Sequence, residues 1–268
     1  MIPTLKRYYY QMSSSVRDFT FVVSTGRAGT KTLSVFFEGI RGVTSKHEPV
    51  PVMNAEILQD ASYGTGELAL KTFMDEKLPA IFRDCSKDSA KHYVETNHLF
   101  IKSFYKPAIE FFNRKLKVIN MVSDAKHVAY SIYQLNEIPG EPEGNKWYLD
   151  PHGEGNLIDV REKLVDEFDH QYYACLWYVL EIEARAERLK KEFKGKILTI
   201  KTDELNSITK LEELCSFIGV EASRGYIPSF INQRYNQQKE YKTQMDRPQL
   251  TPEEMSEMNQ KLHNLIVR

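Results

Sequence analysis

Phe21-Val22-Val23-Ser24-Thr25-Gly26-Arg27-Ala28-Gly29-Thr30-Lys31-Thr32-Leu33 runs from an apolar, β-forming stretch through Gly26 and Gly29 into residues that carry hydroxyls and cations. Asp18–Val23 is short, mostly β-branched or aromatic, and stops just before Gly26, so it reads as a strand. Leu33, Phe36, Phe37 and Ile40 fall at i, i+3, i+4 and i+7, the stripe of a helix with one buried face. The loop between strand and helix therefore sits at a helix N-terminus. Unpaired backbone N–H groups and the positive end of the helix dipole favour an anion there, and glycines let the backbone approach it closely. Gly26, Arg27, Ala28, Gly29, Thr30, Lys31 and Thr32 form the candidate cradle. The alternative is an ordinary strand, turn and helix with a solvated charged turn. A nucleotide triphosphatase needs Gly-Lys-Ser/Thr in direct succession; Thr30 separates Gly29 from Lys31, which disfavours that class.

Working outward, Lys117–Val122 and Lys196–Ile200 also read as strands. Helical periods occupy Phe104–Phe112, Lys126–Leu135, roughly Arg161–Phe193, and Leu211–Ile218. This alternation favours a parallel sheet covered on both faces, with ligands bound beyond the carboxyl ends of the strands, where Ser24–Thr32 and Ser123–Ser131 fall. In the long helix Tyr173, Leu176, Trp177 and Leu180 make a core stripe. Its end, from Arg185 to Glu192, interleaves acids with cations and reads as a solvated face, stopped by Gly195. Ser207 or Thr209 can cap the next helix and Gly219 can end it.

A chain of 268 residues with 41% apolar residues can bury a substantial core, and with no linker or repeat it reads as one domain over residues 1–268. The net charge of −1 gives no global attraction to nucleic acid or an anionic membrane, so the expected partner is a small molecule. The first ten residues lack an apolar run of signal-peptide length, and nothing downstream approaches ~18 consecutive apolar residues. A soluble cytoplasmic protein is expected. Cys85, Cys175 and Cys215 lie far apart without metal-ligand spacing and read as buried thiols.

Between Pro139 and Gly155 the chain is broken by Pro142, Pro151, Gly140, Gly144 and Gly153, with Trp147 and Tyr148 in the middle. Glu141, Glu143, Asp150, Glu154 and Asp159 there outnumber Lys146. Long aperiodic loops in compact domains are usually functional or disordered. One reading is an acceptor-site lid, using Trp147, Tyr148 and Asp150, that favours a cationic or hydroxyl-rich substrate; the other is a solvated acidic loop.

Arg27-Ala28-Gly29-Thr30 resembles the 5′-phosphosulfate loop of the sulfotransferases that use 3′-phosphoadenosine 5′-phosphosulfate (PAPS), where a basic residue precedes a small residue, Gly and Thr. Ser45-Lys46-His47-Glu48-Pro49 is similar to the segment that carries the acceptor-activating acid in the carbohydrate and tyrosine branches. Lys117 to Ser131 is similar to the strand and helix that bind the 3′-phosphate, and Ile197 to Leu205 with Leu211 to Val220 to the late strand and helix. The order of these segments matches the family's over most of residues 18–220.

The resemblance implies a three-layer, P-loop-like α/β fold with a central, mostly parallel sheet. It implies PAPS as donor, the adenosine bisphosphate PAP as product, no metal, and in-line transfer of a sulfuryl group to a hydroxyl or amine of a small metabolite or glycan. Arg27 would contact the 5′-phosphate and the transferring group, and Gly29, Thr30, Lys31 and Thr32 would hold that phosphate. Glu48 is the preferred proton acceptor and His47 the alternative. Ser131 would donate to the 3′-phosphate. The family usually places Arg-Asp-Pro where this chain has Ser123-Asp124-Ala125, so Lys126 and Arg224, the latter in a short basic-Gly match with Gly225, are candidates to supply the missing charge. Glu95 takes no role, because the basic residue and proline of the family's element there are absent. A non-catalytic domain that has kept only nucleotide or partner binding is the competing class.

Overall fold

β1 (Asp18–Val23), β2 (Val43–His47), β3 (His92–Thr96), β4 (Leu116–Val122) and β5 (Lys196–Lys201) form a parallel five-stranded sheet in the order β2-β3-β1-β4-β5. The structure is a computed structural model that describes residues 16–87, 90–135, 137–163, 168–231 and 248–267. The reading of the first ten residues lies outside them.

β1 is central because both its faces can be buried. Phe19, Phe21 and Val23 enter one core and Val22 the other, the period-2 alternation of a strand. On the Val22 side lie α1 (Thr30–Glu38), α8 (Ile208–Ile218) and α9 (Tyr226–Ile231), packed through Leu33, Phe36, Leu211, Leu214 and Phe230. The opposite layer is larger. It holds α2 (Glu56–Tyr63), α3 (Glu67–Thr72), α4 (Leu78–Lys87), α5 (Tyr105–Phe112), α6 (Ala125–Tyr133), α7 (Gln171–Glu192) and α10 (Pro252–Val267). Its floor is aromatic: Phe19 stacks on Phe112 at 4.2 Å and Phe21 on Phe100 at 4.9 Å between centroids. Among the described residues no helix is long and apolar enough to cross a membrane, and all three cysteines are buried thiols.

The sheet register gathers the strand ends. His47 and Val22 each pair with Thr96, Val23 with Asn120, and Val122 with Lys201. The segments after Val23, His47, Thr96, Val122 and Lys201 therefore leave from one edge.

Several readings of the sequence are corrected. β3 was not expected, since Glu95 and His92 break its apolar pattern, yet all its residues are buried. The long helix begins at Gln171, not Arg161: residues 161–163 form a turn, and His170 Nδ1 accepts from the Tyr172 N–H at 3.2 Å as the cap. It ends when Phe193 turns extended (ψ 121°), ahead of Gly195. Arg185 is buried against Glu181 at 2.7 Å, so the end of α7 is not uniformly a solvated face. Ser207 is the residue that caps α8, and Gly219 ends it at φ +86°.

Candidate functional site

After Val23 the chain reverses through Gly26 (φ +77°), Arg27 (φ +55°) and Gly29 (φ +80°) before entering α1. Glycine is required at the first and last of these. A Cβ on Gly26 would lie 3.3 Å from the His98 ring, and one on Gly29 would lie 3.1 Å from Thr202 Cγ2. Ser24 Oγ accepts from the Gly26 N–H at 3.1 Å, and Thr202 Oγ1 donates to the Ala28 carbonyl at 2.8 Å. Gly29 caps α1 without a side-chain bond, and no acid stands in the first turn. The helix N-terminus is thus electropositive and carries Arg27, a half-buried Thr32, a buried Thr30 and an exposed Lys31. Arg27 Nε donates to Ser131 Oγ at 3.0 Å, which joins the loop to α6. The structure brings together these residues from distant parts of the sequence.

The loop after β2 faces this cradle. Glu48 adopts φ +47° and its N–H donates to the Thr96 carbonyl at 3.2 Å. Its side chain is 31% exposed, with Oε1 3.7 Å from His98 Nε2. His47 Nδ1 instead lies 3.1 Å from the Thr96 carbonyl and 3.0 Å from its hydroxyl. Burial holds the His47 pKa below its ordinary value; Glu48 opposes this and Lys31 adds to it.

His98 and Lys102 were not singled out in the sequence, although each stands in the apolar run from Leu99 to Phe104 or at its border, one helical turn apart. That placement is the signal that could have found them, because charge-bearing residues in such a run need partners. Lys102 Nζ is bonded to the Trp147 carbonyl at 2.6 Å and the Tyr178 hydroxyl at 2.8 Å, and lies 3.0 Å from His98 Nδ1. Tyr178 in turn donates to the Thr25 carbonyl of the loop at 2.8 Å. Burial pulls both His98 and Lys102 well below their ordinary pKa values. Glu95 likewise has a partner: Lys77 reaches it at 2.7 Å with both side chains fully buried, and Lys77 also donates to the Pro49 carbonyl beside Glu48. Lys77 and Lys102 both sit in π-helical turns, Phe73–Lys77 and Phe100–Phe104, a geometry frequent at functional sites.

Ser123 lines a cavity of about 260 Å³ with Ser24, Thr25, Asn120 and the α7 acids Glu183 and Glu187. Burial raises the Glu183 pKa and Glu187 adds to the effect. One wall therefore offers hydroxyls and the other carboxyls, which is a poor surround for a phosphate. Lys126 turns to α10, donating to Ser256 Oγ at 3.2 Å. Arg224 is exposed in the turn before α9, where the next residue but one, Tyr226, donates to the Phe36 carbonyl at 2.7 Å near the C-terminal end of α1. That is the end of the helix opposite the cradle, so the backbone beside Arg224 is anchored away from residues 26–29.

The segment from Pro139 to Asp159 is a pinned strap. Tyr148 and Leu149 are buried in the core, Tyr63 Oη brackets Asp150 through its backbone N–H and carbonyl, and the Leu157 and Ile158 N–H groups donate to Glu181. Each of its acids has a partner within the protein, several of them at the exposed surface. Glu141 accepts from Gln171, Glu143 pairs with Lys146 at 2.6 Å, Glu154 and Asp159 pair with Arg161, and Asp150 accepts from Asn145 and the His152 N–H. Asp150 thus serves the strap's own folding. Tyr148 packs beside the site, its ring 6.1 Å from that of His98 and 5.4 Å from Lys102 Nζ, and burial, with Glu137 adding to it, raises its pKa. Trp147 is half-buried 6.4 Å from the His98 ring.

A family model described as a sulfotransferase domain matches residues 17–264. The sulfotransferase domain from the curacin biosynthetic pathway superposes with a TM-score of 0.51 at 17% identity, over 83% of this chain and 79% of that one. A sulfotransferase from Alicyclobacillus acidocaldarius gives 0.47 at 16% identity over 94% and 97%. A mouse sulfotransferase complexed with PAP gives 0.45 at 18% over 84% and 67%. No curated protein sequence matches the chain.

Proposed function

The chain belongs to the sulfotransferase domain family, and we propose that it moves a sulfuryl group from PAPS to a hydroxyl or amine of a small metabolite or glycan, leaving PAP. The observation that carries this reading is the meeting of the Arg27 cradle at the N-terminus of α1 with the Glu48 carboxylate across one sheet edge. As the acceptor atom bonds to sulfur, the bond from sulfur to the 5′-phosphate oxygen breaks and negative charge builds on that oxygen. Arg27, permanently protonated and planar, stabilises that charge together with the N-terminal dipole of α1. Glu48 takes the proton that the acceptor loses. Gly26, Ala28 and Gly29 supply close backbone approach, and Thr30, Lys31 and Thr32 supply donors.

Ser131, held beside Arg27, is the better-placed donor for the 3′-phosphate, whereas the acid-walled cavity at Ser123 suits an uncharged, N–H-bearing part of the donor. Trp147, half-buried beside His98, offers aromatic surface to the acceptor, and Tyr148 backs it from the core. Since the strap's acids are already paired, a cationic acceptor has no special support from them. A second reading, nucleotide binding without transfer, is favoured by Ser123 standing where the resemblance expects arginine. Labelled PAPS separates the two: transfer to an acceptor supports the enzyme, and PAP binding with no transfer supports the second reading.

A further inference from the structure

Lys102 is a buried cation that the transfer chemistry does not use. Its three neighbours are the Trp147 carbonyl, the Tyr178 hydroxyl and His98 Nδ1, at 2.6, 2.8 and 3.0 Å. Tyr178 commits its own proton to the Thr25 carbonyl, so toward Lys102 it accepts. An ammonium has three N–H donors and no acceptor. All three are satisfied when His98 Nδ1 is the lone-pair nitrogen. The His98 proton then sits on Nε2, which faces Glu48 Oε1 at 3.7 Å. The opposite arrangement, a neutral amine accepting from Nδ1–H, aims an Nε2 lone pair at the carboxylate, and that contact is repulsive.

The surrounding charges come from several elements. Glu48 at the end of β2 favours the ammonium, Arg185 on α7 and burial oppose it, and the Tyr148 and Tyr178 rings lie 5.4 and 5.0 Å from Nζ. His47 on β2 disfavours a positive charge on His98, as Lys102 itself does.

We propose that Lys102 is a positioning residue that locks His98 as the Nε2–H tautomer, so that His98 presents a proton to Glu48 Oε1 and leaves Oε2 for the acceptor's proton. His98 is thereby removed as a proton acceptor, because its one lone pair is turned inward to Lys102. The inference rests on reading Glu48 as the base of sulfuryl transfer. The same ammonium ties down the strap at Trp147 and, through Tyr178, the phosphate loop at Thr25, so the base and both of these segments share one anchor.

The test is proton–nitrogen correlation NMR on the full chain with isotope-labelled histidine, the His98 signal being identified by its loss in His98→Gln. His98 should show a protonated Nε2 and a lone-pair Nδ1 throughout about pH 6–8. Lys102→Met should release it into a mixture of tautomers. Tyr178→Phe, which takes a buried partner from the same amine but not from His98, should leave the tautomer unchanged. A protonated Nδ1 in the parent, an imidazolium in that range, or a tautomer unmoved by Lys102→Met would overturn the proposal. Where Lys102→Met fails to fold, the parent spectrum decides alone. The readout is independent of turnover: a locked His98 in a chain that transfers no sulfuryl group would contradict the transfer reading and leave the lock standing.

Discussion

Arg27 and Glu48 share a backbone state that side chains seldom adopt, with φ of +55° and +47°, and each such residue costs on the order of 1–3 kcal/mol. Glycine would relieve that strain and remove the guanidinium or the carboxylate, so the strain is the consequence of placing these groups at the sheet edge. Glu48→Gln keeps the size and the backbone demand while removing basicity. It should lower kcat by roughly 10²–10⁴ and leave PAP affinity, measured by calorimetry, nearly unchanged. Unaltered turnover would place the base elsewhere. Arg27 is legible in the sequence because glycines, a cation and a helical stripe follow one another locally, and Glu48 through its resemblance to a family segment. His98 and Lys102 are not, because Trp147 and Tyr178, which bond Lys102, and Glu48, which faces His98, are distant in sequence and meet only once β2, α7 and the strap are assembled.

At the scale of elements, β1, β4 and β5 could be read from their apolar runs, and their boundaries differ from the expected ones by a residue at most. β3 is hidden in the sequence because it contains Glu95, a carboxylate whose burial becomes intelligible only with Lys77 from a π-helical turn opposite it. Tyr93 Oη and Asn97 Nδ2 also donate to Glu95, at 2.7 and 2.9 Å, so the carboxylate is fully engaged. Lys77→Met should cost about 3–5 kcal/mol in urea unfolding, since it strands a buried charge, and Lys77→Met with Glu95→Gln should recover much of that loss. A cost below about 1 kcal/mol for the single variant would mean that water or another cation compensates the carboxylate. The strap shows the reverse difficulty. Its composition suggests a lid, but each acid has a local or tertiary partner that periodicity does not reveal.

Across the whole molecule, the parallel sheet brings the segments that carry Arg27, Glu48, His98 and Ser123 out at one edge, and the alternation of strands and helices was enough to foresee that such an edge exists. Which end of α1 a distant loop packs against was not foreseeable, as the turn that holds Arg224 shows: Tyr226, two residues on, bonds near the C-terminal end of α1. Three imidazoles, His92 and His98 buried and His47 half-buried, add a global property: all are held below their ordinary pKa by desolvation. Unfolding releases them into water, where they bind protons more readily. Below about pH 6.5 the unfolded chain therefore holds more protons than the folded one, and stability should fall as the pH drops through that window and be fully present above it. Urea midpoints that rise on acidification from neutral pH would contradict this. The central claim, that the Arg27 cradle holds a sulfuryl donor for transfer, is tested most directly by incubating the chain and Arg27→Ala with sulfur-labelled PAPS and hydroxyl- and amine-bearing metabolite fractions. Label should pass to an acceptor with release of PAP, and Arg27→Ala should be slower by on the order of 10²–10³; no transfer by the parent, or equal transfer by the variant, would contradict the account.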